Sequence, residues 1–266
     1  MSNIARKKII RDYYSQRAKD YDRQKQRTWK SSSGFGIDVT RQLLRALRGH
    51  TGKRVLEVGV GSGRNALPIM EEIKPWLVGV DLSKEMLKVA KTKTANFAES
   101  IDLVLGDADH LPFADNAFDA AVIMSTMHYF GSPPHVLRKL QKTLRRKGVL
   151  VYGDVSEHKS DDNEFLETLE KTLSKAHVGY YKPSEMRKLL ETSGFNVSKS
   201  RTLAYRKSYQ ALIEDKGCYF GVKPEAFYAL VQETDISTRK HYALTSAELT
   251  LYYTIIVAAK SNNVPE

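Results

Sequence analysis

Three carboxylates set beside glycines and strand ends hold most of the chemistry this chain can do. The segment VLEVGVGSGRNALPI, residues 55 to 69, runs from the β-branched and apolar residues Val55, Leu56 and Val58 through Gly59, Gly61 and Gly63 into the helix-compatible stretch Asn65 to Glu72. This reads as a buried strand, a tight turn and a helix. A turn without Cβ atoms lets backbone come close to a ligand, and it aims unpaired helix N–H groups at whatever lies above the sheet. Glu57 stands two residues before the first glycine, at the carboxyl end of the strand, where an acceptor can hold a cationic amino group. Asp81, 24 residues further on, ends a second strand, Leu77 to Val80, and Ser83 follows as the N-cap of a helix over Glu85 to Lys91. A carboxylate at that place can accept from both hydroxyls of a ribose. A third strand ends at Asp107, which can accept from an adenine amino group while the Ala108 amide donates to the ring.

Spacing separates two nucleoside cofactors. A dinucleotide turn asks for a small residue at the sixth position from the first glycine, and here that position is Arg64. NAD also lacks a cationic amino group for Glu57 to meet; S-adenosylmethionine has one. The plainer alternative is a strand-to-helix corner with no ligand. A fourth strand spans about Ala120 to Ser125, and His128, three residues beyond it, is the best-placed base for an acceptor that must lose a proton. A structural histidine is the other reading of the same residue. His110, His135, His158 and His177 have no metal-ligand spacing.

Glu57 to Gly63, Asp81, the Gly-Asp-Ala of residues 106 to 108 and LPFADNAFDAAVIMSTMHYF together resemble the class I S-adenosylmethionine-dependent methyltransferases, in the branch of the ubiquinone and menaquinone biosynthesis enzymes. That branch has a Tyr-x-x-x-Ala-x-x-Tyr-Asp signature before the first strand, matched here by Tyr14, Ala18, Tyr21 and Asp22. The resemblance runs from about residue 10 to residue 200. It implies that Glu57, Gly59, Gly61 and Gly63 surround the methionine portion of the cofactor, that Asp81 holds the ribose, and that Leu82 lies on the adenine face. It further implies that Asp107 and Ala108 read the adenine edge, that Ser125 lies near the methionine amino group, and that Tyr14 and Tyr21 close over the cofactor. Arg64 departs from the branch pattern, in which small or polar residues are commoner. Methyl displacement from sulfonium requires alignment and exclusion of water, and no metal.

The expected fold is α/β, a Rossmann-like, seven-stranded, mostly parallel sheet with an antiparallel last strand. A helix over Pro134 to Arg146 leads to a fifth strand, Val149 to Tyr152. Helices over Asp161 to His177 and from Pro183 to Gly194 precede a sixth, Phe195 to Leu203. The last strand, Leu249 to Ala259, is placed by the resemblance between the fifth and sixth. One domain is expected, with residues 1–50 as an N-terminal helical cap, 51–203 as cofactor-binding core, 204–245 as an inserted substrate lid and 246–260 as the last strand. The insertion holds Tyr205, Tyr209, Tyr219, Phe220, Phe227, Tyr228 and Tyr242, either an aromatic lid over the acceptor or a small helical layer with its own core.

Residues 1 to 54 contain 15 Lys and Arg against 4 Asp and Glu, and the remaining residues hold 27 of each sign, so the net charge of +11 is entirely N-terminal. Arg6, Lys7, Lys8, Arg11, Arg17, Lys19, Arg23, Lys25 and Arg27 form a basic segment that could attract an anionic acceptor, RNA or an anionic surface. The plainer reading is a solvated helix face. Cys218 is the one cysteine, which excludes an internal disulfide or a cysteine-based zinc site. The longest apolar stretch, near Leu251 to Ala259, is too short to cross a bilayer, and a cytoplasmic protein is expected. The leading expectation is a methyltransferase acting on a small molecule, quinol-like, aromatic or anionic. A tRNA or protein methyltransferase and a non-catalytic cofactor-binding regulator are the alternatives.

Overall fold

A computed structural model describes residues 2–23, 34–214 and 218–261; Lys25, Arg27 and the side chain of Cys218 lie outside these. The Ser2 hydroxyl accepts from the Ala5 amide and opens α1 (Asn3–Arg17). In α2 (Phe35–Ala46), Phe35, Val39 and Leu43 recur at helical spacing and are all buried. Strands and helices then alternate as β1 (Arg54–Val58), α3 (Ala66–Glu72), β2 (Trp76–Asp81), α4 (Lys84–Lys93), β3 (Ile101–Leu105), β4 (Phe118–Met124), α5 (Pro133–Thr143), β5 (Leu144–Ser156), α6 (Phe165–Leu173), α7 (Pro183–Thr192) and β6 (Phe195–Ser208). After β6 come α8 (Pro224–Gln232), α9 (Ile236–His241) and β7 (Glu248–Lys260).

The strands form one seven-stranded sheet in the order β3-β2-β1-β4-β5-β7-β6. Strands β1 to β5 pair in parallel, and β7 runs antiparallel between β5 and β6, as the sequence and the resemblance led us to expect. Successive side chains of a strand point to opposite faces. Leu56 and Val58 accordingly join the layer built with Val136, Leu140 and Phe195, and Val55 joins the one built with Val39, Leu43 and Ile69. Glu57 shares the parity of Val55, which sends a carboxyl group into the face covered by α2 and α3. Strand order reverses between β1 and β4, and a crevice at the carboxyl ends of those two strands is the usual ligand site of such a sheet. Among the described residues no helix is long and apolar enough to cross a membrane.

Element boundaries differ from expectation where tertiary contacts decide them. Strand β6 continues five residues past Leu203 because Ala204 to Ser208 pair with Tyr252 to Glu248, so the intervening segment is 209–247. The helix expected to begin at Asp161 begins at Phe165. Glu164 sits at φ 51°, and the Asp161 carboxylate instead accepts from the Phe165 and Leu166 amides at 3.1 and 3.3 Å. Within the insertion, Tyr209, Phe227 and Tyr242 pack into a core with Phe165 and Leu169 of α6, while Tyr219 and Phe220 pack against Tyr13 of α1. The Tyr242 hydroxyl donates to Asp161 at 2.5 Å and accepts from the His158 amide at 3.0 Å, tying the insertion to the loop after β5.

Replacing Tyr242 by Phe keeps the ring and removes that tie. A loss of about 1–3 kcal/mol in chemical denaturation is expected from the unsatisfied partners left behind; unchanged stability would show that the tie contributes nothing.

Candidate active site

A cleft of about 920 Å³ opens at the carboxyl ends of β1, β2 and β4. Of the residues assigned to a cofactor from the sequence, Tyr14, Tyr21, Gly59, Gly61, Asp81, Leu82, Asp107, Ala108 and Ser125 line it. The Asp81 carboxylate accepts from the Gly61 amide at 2.8 Å and from the Ser83 amide at 2.9 Å, so one side chain fixes both the glycine turn and the start of α4. Burial raises its pKa, and these amides oppose the rise without cancelling it. Glu57, beneath the glycine turn, does not line the cleft, and neither does Gly63. Its φ is 75°, and a Cβ there would stand 3.2 Å from Ala90 Cα and Cβ, so its role is close packing of the turn on α4.

Helix α1 lies across this cleft. Lys7 bonds to Asp107 and Asp109, each at 2.5 Å, Ser15 meets the Ser83 hydroxyl at 2.9 Å, and the Tyr14 hydroxyl donates to that of Tyr129 at 3.0 Å. Burial works to lower the Lys7 pKa, but the two aspartates outweigh it and hold the ammonium above its usual range. Beyond α1, Asp22 accepts from the Ser62 hydroxyl at 2.7 Å and also pairs with Lys93. Lys7 is therefore engaged inside the molecule; Lys8, Arg11 and Arg23 are exposed and pair with Asp12 or Asp20 on their own segment.

A second cavity, of about 830 Å³, shares Tyr14, Tyr21, Arg64, Ser125 and Tyr129 with the first. Aromatic rings of Phe35, Tyr180, Tyr205 and Tyr253 and the side chains of Leu166, Leu212 and Leu251 line it. His128 lies in this cavity and not in the cleft. Its Nδ1 is 2.8 and 2.9 Å from the two oxygens of Asp154, and its amide donates to the same carboxylate at 3.3 Å. Both side chains are nearly excluded from solvent, at 7% and 1% exposure. Behind them the Val178 amide donates to the His128 carbonyl at 2.9 Å. Glu167 accepts from the Tyr180 amide at 3.0 Å and lies 2.8 Å from Nε2 of the buried His177. Burial works to raise the Glu167 pKa, but His177 holds it down to about 2.

Sequence reasoning missed Asp154, Tyr180 and Tyr253, which line the second cavity, and Glu167 behind it, and it set His177 aside. Nothing local marks them, since each is defined by register or packing against a distant element. Of the insertion's named aromatics only Tyr205, which proves to be on β6, reaches the second cavity.

Residues 56–152, the span that holds the glycine turn, Glu57, Asp81 and Asp107, match the family model of a methyltransferase domain. A demethylmenaquinone methyltransferase of Renibacterium salmoninarum is 35% identical over 40% of this chain and 42% of its own length. These matches support a class I S-adenosylmethionine-dependent methyltransferase. An uncharacterized protein of Methanocaldococcus jannaschii is 28% identical over 60% of this chain and 74% of its own length. The YcgJ protein of Bacillus subtilis, 19% identical, has the same fold, with a TM-score of 0.76 over 84% of this chain and 98% of that one.

Methyltransferases of this class bind S-adenosylmethionine, and the cleft fits it. Glu57 is fully buried; Asn65 Nδ2 donates to its Oε1 at 3.2 Å, and Oε2 has no hydrogen-bond partner among the described residues. An orphaned carboxylate oxygen below a glycine turn suits an ammonium group. Burial pushes the Glu57 pKa up to about 8, with Asn65 and Arg64 opposing it. The carboxyl is thus protonated at neutral pH until a cation arrives, and holding the amine requires it to ionise. Two signs follow. Without ligand the folded chain keeps a proton that the unfolded chain loses, so stability falls as pH rises from the ordinary carboxylate range to about 8. Ligand affinity should rise over the same interval, by up to about tenfold per pH unit near its lower end. In Glu57→Gln both dependences should flatten in calorimetry; a variant that retains them would remove Glu57 from amine binding.

Proposed function

We propose that this methyltransferase transfers a methyl group to a small organic acceptor held in the second cavity, and that His128 removes the proton which the acceptor loses. The buried His128–Asp154 pair, in a cavity that shares a wall with the cofactor cleft, is the observation that supports this reading. When bound, S-adenosylmethionine supplies an electrophilic methyl on sulfonium. The chain provides everything else. Glu57 takes the amine, Asp81 the ribose hydroxyls, and Leu82, Asp107 and Ala108 the adenine, while Gly59 and Gly61 keep side chains out of the way. Asp107 and Asp81 can each serve Lys7 or backbone amides and still accept from a ligand, because a carboxylate has about four lone-pair sites. Tyr14 and Tyr21, together with α1, exclude water from the reacting centre.

Asp154 holds His128 in the tautomer with hydrogen on Nδ1, which makes Nε2 the basic nitrogen. With an acceptor in place, Nε2 would take the proton that the acceptor loses as the methyl–sulfur bond breaks to leave a neutral thioether, and Asp154 would stabilise the imidazolium that results. The aromatic walls support a planar acceptor of quinol-like or other aromatic type. Exposed Lys8, Arg11 and Arg23 support an anionic acceptor or surface as what meets the outer side of α1.

Incubation with methyl-labelled cofactor and separated small-molecule, tRNA and protein pools tests the reading. Label is expected in the small-molecule pool; label in tRNA or protein would replace it, and none in any pool would favour a regulator. With the acceptor so found, His128→Ala should lower kcat by about 10²–10⁴ with cofactor affinity unchanged, and Asp154→Asn should lower it less. Full turnover by His128→Ala would remove it from the mechanism.

A further inference from the structure

A groove of about 1640 Å³ lies between α2 and the turn that leads into α3, and it shares Arg64 with the cleft and the second cavity. Arg41 and Arg45 of α2, Arg48 just beyond its end and Arg64 of the turn line it, with Glu72 as the carboxylate beside them. Ile37, Leu44 and Ile73 lie among these charges, and Ile37 is left 65% exposed. On a helix, residues 37, 41, 44 and 45 fall on one side, away from the side on which Phe35, Val39 and Leu43 are buried. The outer stripe of α2 is thus cationic and aliphatic together. Arg41 pairs with Asp38 at 2.5 Å, but no acid among the described residues pairs with Arg45 or Arg48. The exposed cations of the N-terminal segment differ in this, since Lys8 and Arg11 meet Asp12 and Arg23 meets Asp20.

The mixture of side chains selects among anions. An inorganic anion would meet the guanidinium groups and leave Ile37, Leu44 and Ile73 unused. A nucleic acid strand stacks its bases on aromatic rings, and among the described residues that line the groove none is aromatic. An anionic lipid uses both kinds of side chain, its headgroup on the arginines and the first methylenes of its chains on the aliphatic residues. We propose that the outer face of α2 docks this protein on an anionic bilayer, with the groove seating the headgroup of one lipid. Phe35 of the same helix and Arg64 line the second cavity, so docking through α2 sets that cavity beside the membrane surface.

Sedimentation of the full chain with vesicles of phosphatidylcholine alone, and of phosphatidylcholine and phosphatidylglycerol in equal parts, tests this. Binding is expected to the mixed vesicles and not to phosphatidylcholine, and it should weaken as salt rises. Arg45→Ala and Arg48→Ala should each lower the partition coefficient about fivefold, the worth of one cation at such a surface. Ile37→Ser should lower it about tenfold through lost apolar burial. Thermal unfolding and S-adenosylmethionine affinity should stay near wild type in all three variants, since each side chain is exposed and outside the cleft. Wild-type protein that ignores the mixed vesicles, or binding that these variants leave intact, would overturn the proposal. So would displacement by inorganic phosphate beyond that by chloride at equal ionic strength, which would leave an ion site only. Retention of tRNA that the same variants abolish, without vesicle binding, would make the face an RNA surface instead.

Discussion

A carboxyl group taken wholly out of water, with one oxygen lacking a protein partner, is the constraint around which this molecule is arranged. Leaving such a group unsatisfied costs about 1–3 kcal/mol, and more if it ionises. Glu57 is in that position because strand alternation turns it toward the layer formed by Val55, Val39 and Ile69. The glycine turn directly above it is pinned by Asp81, which at the same time starts α4. On the reading proposed above, a cationic ligand arriving over that turn would satisfy the orphaned oxygen, with Asp81 and Asp107 at the ends of the next two strands within the same cleft. Protonation near neutral pH is how the chain tolerates Glu57 until then.

The second cavity depends on a different constraint, the placement of β7 between β5 and β6. Antiparallel pairing sets Val155 opposite Tyr253, which puts the phenol of Tyr253 beside Ser125 at the end of β4. The same length of β5 supplies Asp154 to His128. The cleft and the second cavity thus share a wall built by β4, β5 and β7, and α1 closes the other side through Tyr14 and Lys7. The two are lined largely by separate parts of the chain and share Tyr14, Tyr21, Arg64, Ser125 and Tyr129.

This division explains what could be read from residues alone. Glu57, the glycines, Asp81 and Asp107 were accessible because each is defined by a strand end and the turn after it, a local signal. Gly63 packs against Ala90 instead of lining the cleft, since a positive φ serves either purpose. His128 could be named from its distance past β4, but its partner could not, because Asp154 reaches it across strands 26 residues apart. Tyr253 lies 128 residues from Ser125, and no periodicity reports such a contact. The insertion was the least readable part. Tyr209, Phe227 and Tyr242 serve an internal core with α6, Tyr219 and Phe220 pack on α1, and Tyr205 reaches the cavity because β6 needs extra length to pair with β7.

A crystal structure of the chain with S-adenosylhomocysteine addresses the central relation most directly. The amino group of the ligand should lie within hydrogen-bonding distance of Glu57 Oε2, with the ribose on Asp81 and the adenine edge at Asp107 and Ala108. A ligand bound in this cleft with Glu57 Oε2 still lacking a partner, or bound elsewhere, would contradict it.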